Sequence, residues 1–207
     1  MDQIENYLKS PEIVAPSQFF PGLVLDYRTL DGNIIEFRSD TCILRVHVLD
    51  ETVLRIRFAP DGLFPDDFSY SDAASWKGSN GHYMVREESE AYVVETDKVN
   101  LRITKAEMKL SFLSKSALIL SEDEKGFHWE QHPKYGGHIV MNSRKVHAGE
   151  HFYGLGDKAV DIDLRGKRFE NWNRDSFGYM MDSDPLYKTI PFFMGLHHGE
   201  AYGIFFD

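Results

Sequence analysis

Cys42-Ile-Leu-Arg-Val-His-Val-Leu49 and, just beyond it, Thr52-Val-Leu-Arg-Ile-Arg-Phe58 carry the alternation of apolar and polar residues that decides the fold. Successive side chains of a strand point to opposite faces, so Leu44, Val46 and Val48 share one face. Leu54, Ile56 and Phe58 do the same, with Arg55 and Arg57 turned away, and both segments read as half-buried strands. Toward the N-terminus, Leu23, Leu25 and Tyr27 alternate up to Asp31-Gly32, after which Ile34-Ile-Glu-Phe37 resumes; the Asp-Gly pair predicts a hairpin turn. Toward the C-terminus, Tyr92-Val-Val-Glu95, Val99-Asn-Leu-Arg-Ile103, Met108-Lys-Leu-Ser-Phe112 and Leu118-Ile-Leu120 form a meander. His138-Ile-Val-Met141, His151-Phe-Tyr153 and Tyr202-Gly-Ile-Phe-Phe206 continue the pattern. Short strands at this spacing predict an all-β, antiparallel sandwich or barrel. Only Asp2 to Leu8 has helical character, so helix should make up less than about a tenth of the chain, against the usual third. The stretch from Ala59 to Gly81, with Pro60, Gly62, Pro65 and Gly78, predicts a loop excursion on the sandwich and not a domain linker.

At 207 residues, 42% of them hydrophobic and 14% aromatic, the chain suffices for one large domain or two small ones with a substantial core. Its net charge of −10 repels phosphate backbones and anionic lipid, which argues against nucleic acid and membrane as partners. Cys42 is the sole cysteine, so no internal disulfide or multi-cysteine metal site can form, and a buried free thiol is expected. The N-terminus lacks a basic segment followed by an apolar one, and no apolar run reaches the roughly 18 residues of a membrane helix. Together these features predict a cytoplasmic protein.

Most short motifs have ordinary structural explanations. Gly154-Leu-Gly156 lacks the third glycine and the βαβ setting of a dinucleotide loop, so it reads as a glycine turn after a strand. His128 with His132, and His197 with His198, lack a partner set at metal-site intervals and are expected to be solvated. Asp161 with Asp163, and Asp182 with Asp184, lack the calcium-loop pattern and read as capping residues; Asp184-Pro185 is a turn-prone step, which makes Asp184 structural. The segment from Arg165 to Tyr179 differs, because Trp172, Asn173, Arg174, Asp175 and Tyr179 crowd aromatic faces and hydrogen-bonding groups into non-periodic sequence. Such a mixture suits a sugar: rings meet the C–H faces of pyranoses while carboxylate, amide and guanidinium groups bond the hydroxyls. An aromatic loop packed on its own domain, with Arg174 and Asp175 paired to other charges, fits the same residues equally well.

His151-Phe-Tyr-Gly-Leu-Gly-Asp-Lys158, Asp163-Leu-Arg-Gly-Lys-Arg168, Asn171-Trp-Asn-Arg-Asp175 and Asp184-Pro-Leu-Tyr-Lys-Thr-Ile-Pro-Phe-Phe193, closing on Gly199-Glu-Ala-Tyr-Gly-Ile-Phe-Phe206, resemble glycoside hydrolase family 31 in order and spacing, within its α-glucosidase branch. The strand-rich part before them is similar to that family's N-terminal β-sandwich, of galactose-mutarotase-like supersandwich fold. The resemblance implies that residues 1–207 are a single N-terminal domain of a larger enzyme, and the stop at Asp207 directly after a strand pattern agrees with a fragment. It further implies that a (β/α)₈ barrel follows, that both catalytic aspartates of a retaining hydrolase lie there, and that this chain alone is inactive. No catalytic residue, cofactor or metal is therefore expected within it. Asp175 is the leading substrate-binding residue, with Arg174 orienting its carboxylate and Trp172 as a wall; the expected partners are an α-glucoside or oligosaccharide and the parent's own barrel. A free-standing carbohydrate-binding module is the competing reading from another class. An aldose 1-epimerase, which needs a histidine acid and a carboxylate base facing one pocket, is a third.

Overall fold

The computed structural model describes residues 17–31, 33–68, 82–114 and 117–207. Strands β1 (Val24–Leu30), β2 (Ile34–Ser39), β3 (Ile43–Val48) and β4 (Leu54–Ala59) form an antiparallel sheet in sequence order. Strands β5 (Tyr83–Glu87), β6 (Ala91–Thr96), β7 (Asn100–Thr104), β8 (Leu110–Leu113), β9 (Leu118–Gln131) and β10 (His138–Arg144) form the second sheet, again as a meander. A third sheet sets β12 (Thr189–His197) between β11 (His151–Gly156) and β13 (Glu200–Phe205). No helix occurs among the described residues, and the expected helical stretch Asp2 to Leu8 lies outside them.

The core fills the space between the first two sheets. Ile35, Phe37, Leu44, Val46 and Val48 come from one side, and Tyr92, Val94, Leu101, Ile103, Leu110 and Trp129 from the other. Leu54, Ile56 and Phe58 pack against this cluster, as the alternation of β3 and β4 requires. Aromatic contacts join the layers: the Phe37 ring lies 5.7 Å from that of Tyr92, and Phe58 stacks on Phe127 at 4.6 Å. Cys42 is buried and free.

Several elements depart from the sequence reading. Pairing between β1 and β2 shifts at Val24/Asp26, so Val24 and Tyr27 reach the core while Leu23 and Leu25 stay exposed. A bulge adds one residue to the strand and so breaks strict alternation. Leu30 pairs with Ile34 in a hairpin whose Asn33 has φ 61°; Gly32 of the predicted Asp-Gly turn lies outside the described residues. Met108 sits in the turn before β8, with φ 53°. β9 continues through Glu122-Asp-Glu-Lys125, residues that charge alone would assign to a loop. Of the predicted excursion, residues 60–68 cross the outer face of the first sheet, where the Arg45 guanidinium stands 3.9 Å from the Phe64 ring centre; residues 69–81 lie outside the described set.

Glu122 is buried in β9, where its carboxylate accepts hydrogen bonds from the Leu110 N–H at 2.8 Å and from the Asn142 amide. Burial outweighs these bonds and pushes the carboxyl up to about 7 from an ordinary 4.5. The folded state then holds a proton that the unfolded chain releases, so this group's stabilising contribution is intact below pH 4.5 and declines as pH rises toward 7. Glu122→Gln removes that titration. The melting temperature of the wild type should fall more steeply between pH 5 and 8 than that of the variant, and equal slopes would refute the assignment.

The third sheet joins the sandwich through a buried polar knot. His197 Nε2 donates to the Ile119 carbonyl at 2.7 Å, and its ring stacks on His147 at 4.1 Å. Glu150, fully buried, accepts from the Tyr202 hydroxyl and the His147 N–H, both at 2.7 Å. The expectation of solvated histidines thus fails for His197 and also for His128, whose Nδ1 lies 3.1 Å from the Gly126 carbonyl. Buried imidazoles persist where polar atoms such as His197 Nε2 and His128 Nδ1 find partners, a condition set by tertiary neighbours and not by spacing in sequence, whereas His147 Nε2 finds none among the described residues.

Candidate functional site

The residues singled out in the sequence lie on one long loop, 157–188, which leaves β11 at Gly156 and returns at Thr189, the residue paired with Gly156. Its neck is narrow, with the Asp157 N–H bonded to the Lys188 carbonyl at 2.9 Å. Glycine is required at that neck. Gly156 has φ 83°, and a Cβ there would lie 2.5 Å from the Lys188 carbonyl oxygen; at Gly154, with φ 125°, it would lie 2.6 Å from that of Phe192. Both glycines sit within β11, at a register shift, and not in a turn after it.

Although it has no regular secondary structure, the loop is pinned throughout. The Leu164 N–H bonds the Phe152 carbonyl and the Asp182 N–H the Ala159 carbonyl, both at 2.8 Å, while Leu164 and Leu186 are buried as apolar anchors. Asp163 caps its entry: Oδ1 accepts from the Phe152 and Arg165 N–H groups at 3.2 and 3.1 Å, and Oδ2 lies 2.7 Å from His151 Nδ1. The His151 hydrogen bond, followed by the two backbone donors, holds this carboxyl at about 2, well below the ordinary aspartate value. Separated by twelve positions, His151 and Asp163 form a histidine–carboxylate pair that the sequence does not reveal, but its carboxylate already has three partners in the loop entry. Asp184 is structural, as its setting before Pro185 suggests: it binds Lys158 Nζ at 2.7 Å and accepts from the Glu170 N–H, and the Asp184-Pro185 peptide is cis.

The step Trp172-Asn-Arg-Asp175 is held by its backbone and by one amide. The Arg174 N–H bonds the Leu186 carbonyl at 2.9 Å, Asn173 Oδ1 accepts the Thr189 N–H at 2.8 Å, and the Ser176 hydroxyl donates to the Pro185 carbonyl at 3.1 Å. The flanking side chains are free: Arg174 and Asp175 are exposed, and neither has a hydrogen-bond or ion-pair partner among the described residues. Trp172 is 67% exposed, which removes it from the core, and Phe177, at 99%, projects fully. The alternative of an aromatic loop packed on its own domain, with Arg174 and Asp175 paired, therefore does not describe this loop. Asn173 and Lys158 escaped the sequence reading as loop-fixing residues because their partners lie 16 and 26 positions away.

Comparison with known proteins places this architecture. The model of the glycosyl hydrolase 31 N-terminal galactose mutarotase-like domain matches residues 43–207. Alpha-glucosidase 2 of Bacillus thermoamyloliquefaciens is 28% identical over 177 residues, covering 84% of this chain and 22% of that enzyme. An alpha-glucosidase of Saccharolobus solfataricus is 38% identical over 71 residues, 34% of this chain and 10% of its own length. Among solved structures, a family 31 dextranase of Flavobacterium johnsoniae complexed with isomaltotriose superposes with a TM-score of 0.71 at 26% identity, covering 86% of this chain and 21% of that one. The chain thus spans about a fifth of the first of these relatives. With an all-β architecture and a family match spanning residues 43–207, most of its length, the chain belongs to the glycosyl hydrolase 31 N-terminal galactose mutarotase-like domain family.

Proposed function

We propose that the chain is the N-terminal domain of a longer retaining α-glucosidase and that it lends loop 157–188 to the substrate side of that enzyme's active site. The observation that carries this reading is a pinned backbone presenting polar side chains, Arg174 and Asp175, that have no partner among the described residues, beside an exposed Trp172. A charged pair serving only the loop would be engaged within it, as Lys158 and Asp184 are. Asp175 can accept from a sugar hydroxyl, Arg174 can orient that carboxylate, and Trp172 offers a flat apolar face to a pyranose.

The third sheet supports a protein partner as well. Ile190, Phe192, Met194 and Leu196 project from one face of β12 and remain exposed, and Phe205, paired with Phe192, extends the patch. Contiguous apolar surface of this kind marks an interface, and a catalytic barrel of the same enzyme is the partner this reading supplies. Retention requires two carboxyl groups about 5 Å apart flanking one glycosidic bond; the proposal assigns both to that barrel. The 207-residue chain alone should release no product from an aryl α-glucoside, whereas the longer enzyme should do so with retained anomeric configuration. Turnover by the chain alone, abolished by a substitution within it, overturns the assignment, and inversion by the longer enzyme overturns the retaining mechanism.

A further inference from the structure

The geometry points to Lys158 as the positioning residue for the Arg174–Asp175 step, acting through Asp184; this rests on the reading of that step as a substrate contact. The Lys158 side chain is only 3% exposed, and its ammonium donates to Asp184 Oδ1 at 2.7 Å and to the Glu170 carbonyl at 2.9 Å, 5.3 Å from the Phe169 ring centre. The other oxygen of Asp184 accepts the Glu170 N–H. One knot therefore ties the exit of β11, the rising arm of the loop at 169–170 and the returning arm at 184.

That knot controls the step because the bonds named above for residues 173–176 come from the returning arm and from Thr189, the residue of β12 at which that arm ends. The Leu186 carbonyl, the Thr189 N–H and the Pro185 carbonyl hold Arg174, Asn173 and Ser176 respectively. Shifting 184 relative to 170 moves Pro185 and Leu186 directly and pulls residues 173–176 away from Thr189, which the pairing with Gly156 holds in place. None of the knot residues belongs to the core cluster between the sheets, so its strength is directed at the loop and not at the sandwich. In a largely buried ion pair, removing one partner leaves the other charge poorly solvated and uncompensated, which favours separation of the two arms.

Lys158→Met keeps most of the length of the side chain and removes the charge. In the 207-residue chain the Arg174 and Thr189 amides should exchange hydrogen at least about tenfold faster, while core amides of β3 and β7 keep their protection. Lys158→Arg, which retains the charge, should restore most of the protection. Unchanged exchange at Arg174 and Thr189 overturns the inference, as does equal loss in the core. In the longer enzyme, Lys158→Met should lower kcat/KM for maltose by about tenfold, with a smaller loss on an aryl glucoside, and should add nothing when Asp175 is already alanine. Additive losses would show that Lys158 does not act through the step and overturn the inference. Should Asp175→Ala alone leave maltose hydrolysis unchanged, the substrate-contact reading fails, and the exchange rates decide the loop clasp separately.

Discussion

Phe37→Ala is expected to destabilise the chain by about 3–5 kcal/mol, the range for truncating a fully buried aromatic. Phe37 has no exposed surface, and its ring lies 5.8 Å from Tyr27 on the neighbouring strand and 5.7 Å from Tyr92 on the facing sheet. The residue stands in a cross-strand row, Tyr27, Phe37, Leu44 and Phe58, that spans all four strands of the first sheet. Truncation therefore leaves a cavity bounded by both layers, where neither can collapse without moving the other. Domains of this size are stable by only about 5–15 kcal/mol, so the loss is a large part of the whole. Urea titration should show a lower midpoint with an unchanged slope. Phe177→Ala, at a ring that is 99% exposed, is the control and should change the stability by less than about 0.5 kcal/mol. A loss below about 1 kcal/mol for Phe37→Ala would contradict the packing described.

Asp175→Ala in the longer enzyme should reduce kcat/KM on maltose by roughly ten- to a hundredfold, because a charge-assisted hydrogen bond to a hydroxyl is worth about 1.5–3 kcal/mol and each 1.4 kcal/mol is a factor of ten. The catalytic carboxylates are untouched in this variant, so activity should fall without vanishing. An activated aryl glucoside, whose leaving group offers no matching hydroxyl, should lose less. Thermal stability should barely change, since Asp175 has no hydrogen-bond or ion-pair partner among the described residues to lose. Equal losses on both substrates together with a lowered melting temperature would instead mark Asp175 as a loop-holding residue and remove it from the site.

Period-two alternation was enough to assign the strands of the first sheet and most of the second, since it reflects a local property of the chain: side chains of an extended backbone alternate whatever lies beyond them. It failed where long-range pairing overruled the local pattern. The bulge at Val24/Asp26 exchanged the faces of β1, and β9 carried an acidic stretch because Glu122 found donors in Leu110 and Asn142. β5 and β12 lacked a recognisable alternation. In β12, small and apolar residues stand on both faces, one toward the buried His197 and Gly195 and the other on the exposed patch.

The same division holds for the site. Residue types alone marked Trp172, Arg174 and Asp175, because aromatic faces beside a guanidinium and a carboxylate have a chemistry independent of their neighbours. Whether those groups were engaged within the domain or left free was a question of distance in space, and it was answered by partners far off in the chain. Glu36 illustrates the point from the opposite side. Its position between Ile35 and Phe37 places it on the outer face of β2, where a strand pattern predicts exposure, yet it has no exposed surface, because Arg28 and Arg45 on the flanking strands close over it at 2.7 and 2.9 Å. By itself, then, the sequence determined most of the strands and which loop residues crowd aromatic faces beside a guanidinium and a carboxylate. The tertiary structure alone decided which charges are paired, at buried Glu36 and at largely buried Lys158–Asp184, and which have no partner among the described residues, at Arg174 and Asp175, since burial and pairing depend on groups brought together only by folding.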